Sequence, residues 1–289
     1  MIARRAVITG ASSGIGRACA LRLDADGWIV YAGVLKAGEA DELRAVATAR
    51  LHPLVLDVTD EDSIAAAAKL VRSEAGSEGL HGLVNNAGIS VISPIEFVPI
   101  RELRRQLDVN VVGPVSVTQA FLPMIRLGQG RIVNIGSASG SVPIPFIAPY
   151  TASKAALERI TDTLRLELAP WNISVSLIAP ARVATPIWRT AGMVALKISR
   201  GMSVDARRLY NWPEAVSGIS GGETPKQEAD VGAVVNAVVH ALTSAKPRRV
   251  YPVNTAGRII RAVAHLPRGS IRDWAGLRAS EFRRVTRKD

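Results

Sequence analysis

An α/β fold is expected for this chain: a doubly wound parallel sheet of about seven strands with helices on both faces. Short apolar runs alternate with longer helical patterns along the chain. The short runs are β-branched or continuously apolar, as strands covered on both faces must be. A glycine-rich turn separates the first run from the first helix, and no interior stretch has the composition of a linker. One domain spanning 1–289 with right-handed crossovers is the simplest parse.

The strands are expected at 6–9, 28–32, 54–56, 83–85, 131–135, 174–178 and 250–253. The helices are expected at 15–25, 39–47, 61–74, 100–126, 151–168 and 226–242. The run Asp60-Glu61-Asp62-Ser63 suits a helix start, because acids in the first turn meet the positive end of the helix dipole. Two segments depart from the rhythm. Residues 181–225 mix glycine and proline with large apolar side chains, including Met193, Leu196, Met202, Tyr210 and Trp212. Following the sixth strand, they fall at the carboxyl edge of the sheet, where open α/β folds bind ligands. They read as a substrate-binding loop insertion that orders over bound substrate. The second segment, 255–289, reads as a basic helical tail.

Of the 289 residues 48% are apolar, enough for a buried core. A single cysteine, Cys19, leaves no internal disulfide, and four histidines without ligand spacing make a metal site unexpected. The first strand starts too early for a signal peptide, and no 18-residue apolar run suggests a spanning helix. A cytoplasmic setting fits these features. The net charge of +11 is uneven: from Lys246 to the end, twelve Lys and Arg face three acids, a net of +9. A basic tail on a near-neutral body fits a surface accessory better than a nucleic-acid interface. Ile259, Ile260, Val263 and Leu266 near Arg258, Arg261 and Arg268 leave two readings open. One is an amphipathic helix lying peripherally on an anionic membrane. The other, which is preferred, is an apolar face packed on the protein.

Gly10, Gly14 and Gly16 lie between the first strand and first helix, in Thr9-Gly10-Ala11-Ser12-Ser13-Gly14-Ile15-Gly16. Glycines there allow a tight turn and close approach to a pyrophosphate, which the helix amino terminus then binds. The turn marks a Rossmann-type dinucleotide site. Tyr150 and Lys154 stand four residues apart, one helical turn, and so share a face. A tyrosine with a pKa near ~10 is a poor acid/base catalyst at neutral pH. A neighbouring ammonium favours the phenolate and lowers that pKa. Ser137, thirteen residues before Tyr150, can hydrogen-bond a substrate oxygen where negative charge develops.

These motifs, with Asp57-Val58, Asn85-Asn86-Ala87-Gly88, Asn110 and Pro180 to Thr185, resemble the short-chain dehydrogenase/reductase family over about residues 4–186 and, more loosely, the strand near Val250. The resemblance implies an NAD(P)-dependent oxidoreductase that interconverts an alcohol and its ketone or aldehyde. It gives Tyr150 the acid/base role, Lys154 the tuning of that tyrosine and a grip on the ribose, Ser137 the substrate oxygen, and Asn110 a water in a proton relay behind Lys154. It assigns the cofactor to Gly10, Ser12, Ser13, Gly14, Ile15, Gly16, Asp57, Val58, Asn86, Ala87, Gly88, Tyr150, Lys154, Pro180, Val183 and Thr185. It also implies a homodimer or homotetramer. One departure stands out: the family usually has Pro-Gly after the sixth strand, and here it is Pro180-Ala181. Alanine tolerates positive φ poorly, so the nicotinamide loop is expected to run slightly differently.

The choice between NAD and NADP is open. The second strand ends Gly33-Val34-Leu35-Lys36, with no acid at Val34 for ribose hydroxyls. Lys36 is a candidate for a 2′-phosphate, although exposed lysines are mostly solvated. The stretch 147–188 is similar to the retinol and hydroxysteroid branch of the family. An apolar wall of Val142, Ile144, Phe146, Ile187 and Trp188, beside Ser137 and Tyr150, suits a lipophilic steroid-, retinoid- or fatty-type substrate. The rival reading is a cofactor-sensing protein without turnover.

Overall fold

A computed structural model describes residues 3–210 and 230–264. The distal part of the expected insertion, with Trp212, and the tail beyond 264, with Leu266 and Arg268, lie outside these residues.

Seven strands form one parallel sheet in the order β3-β2-β1-β4-β5-β6-β7. They are β1 (Arg5–Ile8), β2 (Ile29–Val34), β3 (Leu51–Val55), β4 (Gly82–Asn85), β5 (Arg131–Ile135), β6 (Val175–Pro180) and β7 (Val250–Val253). β1 pairs with both β2 and β4. The strand order therefore reverses at β1/β4, and the crevice at their carboxyl ends is where such sheets take ligands. Side chains alternate across the sheet. Ala6 and Ile8 pack with Cys19, Ala20 and Leu23 of α1 (Gly14–Ala25) on one face. Val7 packs with Val71, Val117 and Phe121 on the other. That two-sided burial is what the continuous apolar strands demanded.

After α2 (Ala37–Arg44), α3 (Glu61–Ala75) begins where its acids suggested: Asp60 Oδ1 accepts from the Asp62 and Ser63 N–H groups at 3.0 and 3.3 Å. The expected helix 100–126 is broken. α4 (Ile100–Leu107) and α5 (Gly113–Leu127) flank a π-helical turn, Asp108–Val112. Pro114 has no N–H to give the Asn110 carbonyl four residues back, so the regular ladder cannot run through this point. Gly113 lies so close to Val58 that a Cβ would come within 2.8 Å of its side chain.

α6 (Ala148–Glu167) starts three residues earlier than expected, with Pro149 in its first turn, where a missing N–H costs nothing. The segment after β6 is not the irregular loop expected over its described part. It forms α7 (Pro186–Arg200) and α8 (Val204–Leu209). Pro186 opens α7, and Ala191, Ala195 and Ile198 recur at helical spacing on its buried face. α9 (Val231–Thr243) returns to the sheet, and α10 (Asn254–Ala264) ends the described chain.

Candidate active site

The site grows from the β1 and β4 carboxyl ends, which are stapled together. Thr9 Oγ1 accepts from the Asn86 and Ala87 N–H groups, both at 3.0 Å. Asn86 Nδ2 donates to the carbonyls of Thr9 and Gly10 at 2.9 and 3.0 Å. Asn86 thus shapes the glycine turn with its side chain. Gly10 has φ +64°, and a Cβ there would lie 2.8 Å from Ala87 Cα, so no other residue fits without displacement. The turn leads into α1, whose first turn carries no acid and whose N-cap, Ser13, makes no side-chain cap bond. The first N–H groups of α1 face a cleft of about 980 Å³.

The opposite end of the cleft belongs to β5, β6 and α6. Ser137 follows β5 and caps a 3₁₀ turn, Ala138–Ser141. Its hydroxyl sits 2.8 Å from that of Ser139 and 3.5 Å from the Pro180 carbonyl. Tyr150 is 7% exposed and Lys154 4%. Lys154 Nζ donates to the Ile135 carbonyl at 2.8 Å and stands 5.7 Å from the Tyr150 ring centroid. Burial pushes the Tyr150 hydroxyl up to about 12, against a downward pull from the Ser137 hydroxyl. Burial pushes Lys154 down to about 8. The expectation was that the Lys154 ammonium lowers the Tyr150 pKa; in the cofactor-free site desolvation outweighs this and disfavours both charges, and the ammonium is turned to a carbonyl.

Asn110, 0% exposed, sits in the π-helical turn. Its Oδ1 accepts from the Ile89 N–H at 2.9 Å, and its Nδ2 donates to the Ile89 carbonyl and Ser153 Oγ, both at 3.0 Å. The side chain is therefore committed to holding the β4–α4 loop, and it does not line the cleft. Any water relay would have to use its main chain.

Most of the expected cofactor residues line this one cleft: Gly10, Ser12, Ser13, Gly14, Ile15, Asp57, Val58, Asn86, Ala87, Gly88, Tyr150, Lys154, Pro180, Val183 and Thr185. Gly16 lies behind the wall, where a Cβ would strike the Gly10 carbonyl at 2.2 Å. Lys36 is exposed and not part of the wall. It caps α2, and its N–H is held, with that of Leu35, by the Glu39 carboxylate at 3.4 and 3.1 Å. Of the expected substrate wall, Ser137, Ile144, Tyr150, Ile187 and Trp188 face the cleft. Val142 and Phe146 do not. Phe146 packs behind Tyr150 with Ile92, Ile147 and Ala195.

A short chain dehydrogenase family model matches residues 4–193. The chain belongs to the short-chain dehydrogenase family. It is 41% identical to mouse retinol dehydrogenase 5 over 181 residues, 62% of this chain and 57% of that protein. It is 34% identical to human 11-beta-hydroxysteroid dehydrogenase type 2 over 278 residues, 93% of this chain and 69% of that protein. Human retinol dehydrogenase 16 is 34% identical over 258 residues, 88% of this chain and 81% of that protein. The chain thus lies on the retinol and hydroxysteroid branch, and it spans just over half the length of retinol dehydrogenase 5. A crystal structure of a short-chain dehydrogenase from Streptomyces avermitilis superposes with TM-score 0.77 at 27% identity, covering 99% of this chain and 98% of that one.

The residues present fit the nicotinamide dinucleotide on which this family of dehydrogenases depends. The α1 amino terminus offers unpaired N–H donors and no competing acid, as a pyrophosphate requires. Lys154, buried, has three N–H donors and gives one to Ile135, leaving two for ribose hydroxyls. Several wall residues carry no sequence signal as such: Arg182, whose guanidinium lies 5.3 Å from the Trp188 ring centroid, and Ala256 and Ile260 on α10. The Ala181 backbone does not take a positive φ, so the alanine in place of glycine causes no strain. Instead Gly257 of α10 approaches it, a Cβ there falling 3.4 Å from the Ala181 nitrogen.

Proposed function

We propose that this short-chain dehydrogenase interconverts a lipophilic alcohol and its ketone or aldehyde, with Tyr150 as general acid/base. The observation that carries this reading is the convergence of Tyr150, Ser137 and Lys154, all buried, on the same cleft as the glycine turn. NAD or NADP, when bound, supplies or accepts the hydride. In the oxidative direction the Tyr150 phenolate takes the hydroxyl proton, and in reduction the phenol returns it. The Ser137 hydroxyl orients the substrate oxygen. Lys154 holds ribose hydroxyls with its two remaining N–H groups and favours the phenolate by its charge. Ile144, Ile187 and Trp188 supply the apolar surface for a steroid-, retinoid- or fatty-type substrate, which agrees with the names of the relatives.

The same reading extends to the rest of the molecule. One catalytic domain is supported by the one continuous sheet. Either cofactor is accepted, since the β2 end presents apolar Leu35 to the cleft, with no carboxylate at Val34 and Lys36 away from the wall. A homodimer or homotetramer is supported by exposed apolar residues, Val112 in the turn before α5 and Leu166 on α6. The α7–α8 segment serves as a substrate lid, fastened where the Tyr210 hydroxyl donates to Glu96 at 2.8 Å. A cytoplasmic protein is favoured over a peripheral one, because α10, the described part of the tail, is tied to the body by the largely buried Arg261–Glu158 pair.

Turnover of a panel of steroids, retinoids and aliphatic ketones with NADH and NADPH tests the proposal, with Tyr150→Phe as the control. Activity on lipophilic substrates that vanishes in the variant supports it. Equal turnover by wild type and Tyr150→Phe would rule it out.

A further inference from the structure

The tail helix α10, whose Ala256 and Ile260 line the cleft, also reaches the catalytic elements through the Arg261 side chain. Arg261 Nη1 donates to Glu158 Oε2 at 3.0 Å and Nη2 to Glu158 Oε1 at 2.8 Å, a bidentate pair. Nη1 also donates to Ser141 Oγ at 3.2 Å. Both partners of the pair are largely buried, 15% and 10% exposed. Each end of this bridge belongs to a catalytic element. Glu158 stands four residues beyond Lys154, which stands four beyond Tyr150, so all three share one buried face of α6. Ser141 closes the 3₁₀ turn that Ser137 opens. Between the two ends, that turn sits directly on the helix: a Cβ on Gly140 would come within 2.9 Å of the Lys154 backbone.

We propose that Arg261 is a positioning residue for the catalytic set: by bridging Glu158 and Ser141 it clamps the Ser137 turn onto the Tyr150–Lys154 helix and fixes the spacing of the two hydroxyls. A guanidinium suits the task because its planar fork meets a carboxylate at two points and still has a donor for a third group. The turn is short: within it Gly140 N–H donates to Ser137 O at 3.1 Å, Val142 N–H to Ser139 O at 3.4 Å and Ser139 N–H to Ser137 Oγ at 3.2 Å, and Arg261 adds a tie from outside it. A shift of about 1 Å in a reacting group can cost ~100-fold in rate. The role in turnover rests on the acid/base reading above, whereas the clamp itself does not.

The test is Arg261→Gln beside Arg261→Lys, read by steady-state kinetics, by NADH and NADPH binding, and by amide hydrogen exchange of residues 139–142. In Arg261→Gln, cofactor affinity should stay within about twofold while kcat falls by ~10-fold or more, the loss expected when one charge-assisted contact of this kind is removed. KM should move little. Arg261→Lys should regain part of kcat, since one of the two carboxylate contacts survives. The amides of Ser139, Gly140 and Val142 should exchange faster in Arg261→Gln than in wild type. A folded Arg261→Gln with wild-type kcat, or with unchanged exchange in the turn, overturns the proposal. If Arg261→Gln does not fold, Ser141→Ala, which keeps the ion pair, carries the test: unchanged exchange of the same amides overturns it, and faster exchange supports it. If the wild-type protein turns over no alcohol or ketone with either cofactor, the acid/base reading fails, and the exchange rates alone judge the clamp.

Discussion

Lys154 Nζ lies 5.7 Å from the Tyr150 ring centroid and donates to the Ile135 carbonyl at 2.8 Å. Both side chains are buried, so each resists its charged form: the tyrosine rises to about 12 and the lysine falls to about 8. In the cofactor-free protein the tyrosine is therefore a neutral phenol at neutral pH, and the lysine loses its charge as pH rises through about 8. A phenolate at Tyr150 would be stabilised by Lys154 only while the lysine keeps its proton.

That state predicts the pH dependence of catalysis. Oxidation needs the phenolate, whose fraction grows about tenfold per pH unit below the pKa. For oxidation kcat/KM should therefore rise with pH from 6 to 8. Reduction draws on the phenol, already the dominant form, and should be flat or falling over the same range. A pH series of kcat/KM in both directions checks this, and a rate of oxidation that falls with rising pH would contradict it. Tyr150→Phe should lower turnover by ~10²–10⁴-fold while leaving cofactor binding intact.

The lysine predicts a stability effect of definite sign. Its folded pKa, about 8, lies below its ordinary value of 10.5. Between those limits the unfolded chain binds the proton and the folded chain does not, so stability rises with pH through that window. Relative to Lys154→Met, the cofactor-free wild type should gain up to about 1.4 kcal/mol per pH unit between pH 8 and 10. Urea unfolding of both proteins at pH 7, 8, 9 and 10 measures it. Parallel curves would mean that Lys154 is not desolvated.

Glu158 gives a slope of the same sign in a lower pH window. Burial raises its carboxyl pKa, but hydrogen bonds and charge from Arg261, together with Arg159, outweigh that and hold it below the ordinary value. Its stabilising contribution is present above the unfolded-state pKa of 4.5 and is lost as pH falls through the lower folded value. The stability difference between wild type and Glu158→Gln should be constant from pH 5 to 7 and shrink below pH 4.5. Denaturation midpoints of the two proteins at pH 3 to 7 decide the matter, and a difference that widens in acid would refute it.

The motif residues were legible because each answers a local requirement: Gly10 a positive φ, Tyr150 and Lys154 one shared helix face. The seven strands were legible because burial on both faces leaves an apolar run. What stayed hidden depends on partners distant in sequence. Nothing local in Arg261 reveals that Glu158, 103 residues away, will receive it. Glycine and proline counts in 181–225 suggested an irregular loop, but Pro186 sits at a helix start, where it favours α7. Asn110 was singled out by order along the chain, but its amide contacts with Ile89, which turn it away from the cleft, depend on how β4 ends.

Phe146 carries a backbone strain that reverses the usual ranking of substitutions. Its φ is +68°, uncommon for a bulky residue, while its ring is buried against Ile92 and Ile147 and meets Tyr210 edge-on at 6.1 Å. The strain costs on the order of 1–2 kcal/mol. Removing the ring costs ~3–5 kcal/mol. Phe146→Ala loses the ring and keeps the strain, whereas Phe146→Gly loses the ring and relieves it. The glycine variant should therefore be the more stable of the two by about 1 kcal/mol, against the normal preference for alanine. Chemical denaturation of both variants checks the order, and an alanine variant more stable than the glycine one would show that φ is not strained in solution.

Cofactor selection should turn on Leu35 rather than Lys36. Leu35 is 58% exposed and lines the cleft at the end of β2, while Lys36 lies off the wall. Glu39 is the nearby acid, and its carboxylate already accepts from both Leu35 and Lys36 N–H groups. Lys36→Ala should then change NADH and NADPH affinity by less than about twofold, as expected for a solvated charge. Leu35→Arg places a guanidinium on the wall itself, where it can pair with a 2′-phosphate. One charge-assisted hydrogen bond of ~1.5–3 kcal/mol corresponds to about tenfold or more in affinity. NADPH binding should strengthen by that factor in Leu35→Arg while NADH binding stays level. Fluorescence titration with both cofactors gives the four ratios needed. A tenfold loss of NADPH affinity in Lys36→Ala would return the phosphate site to Lys36.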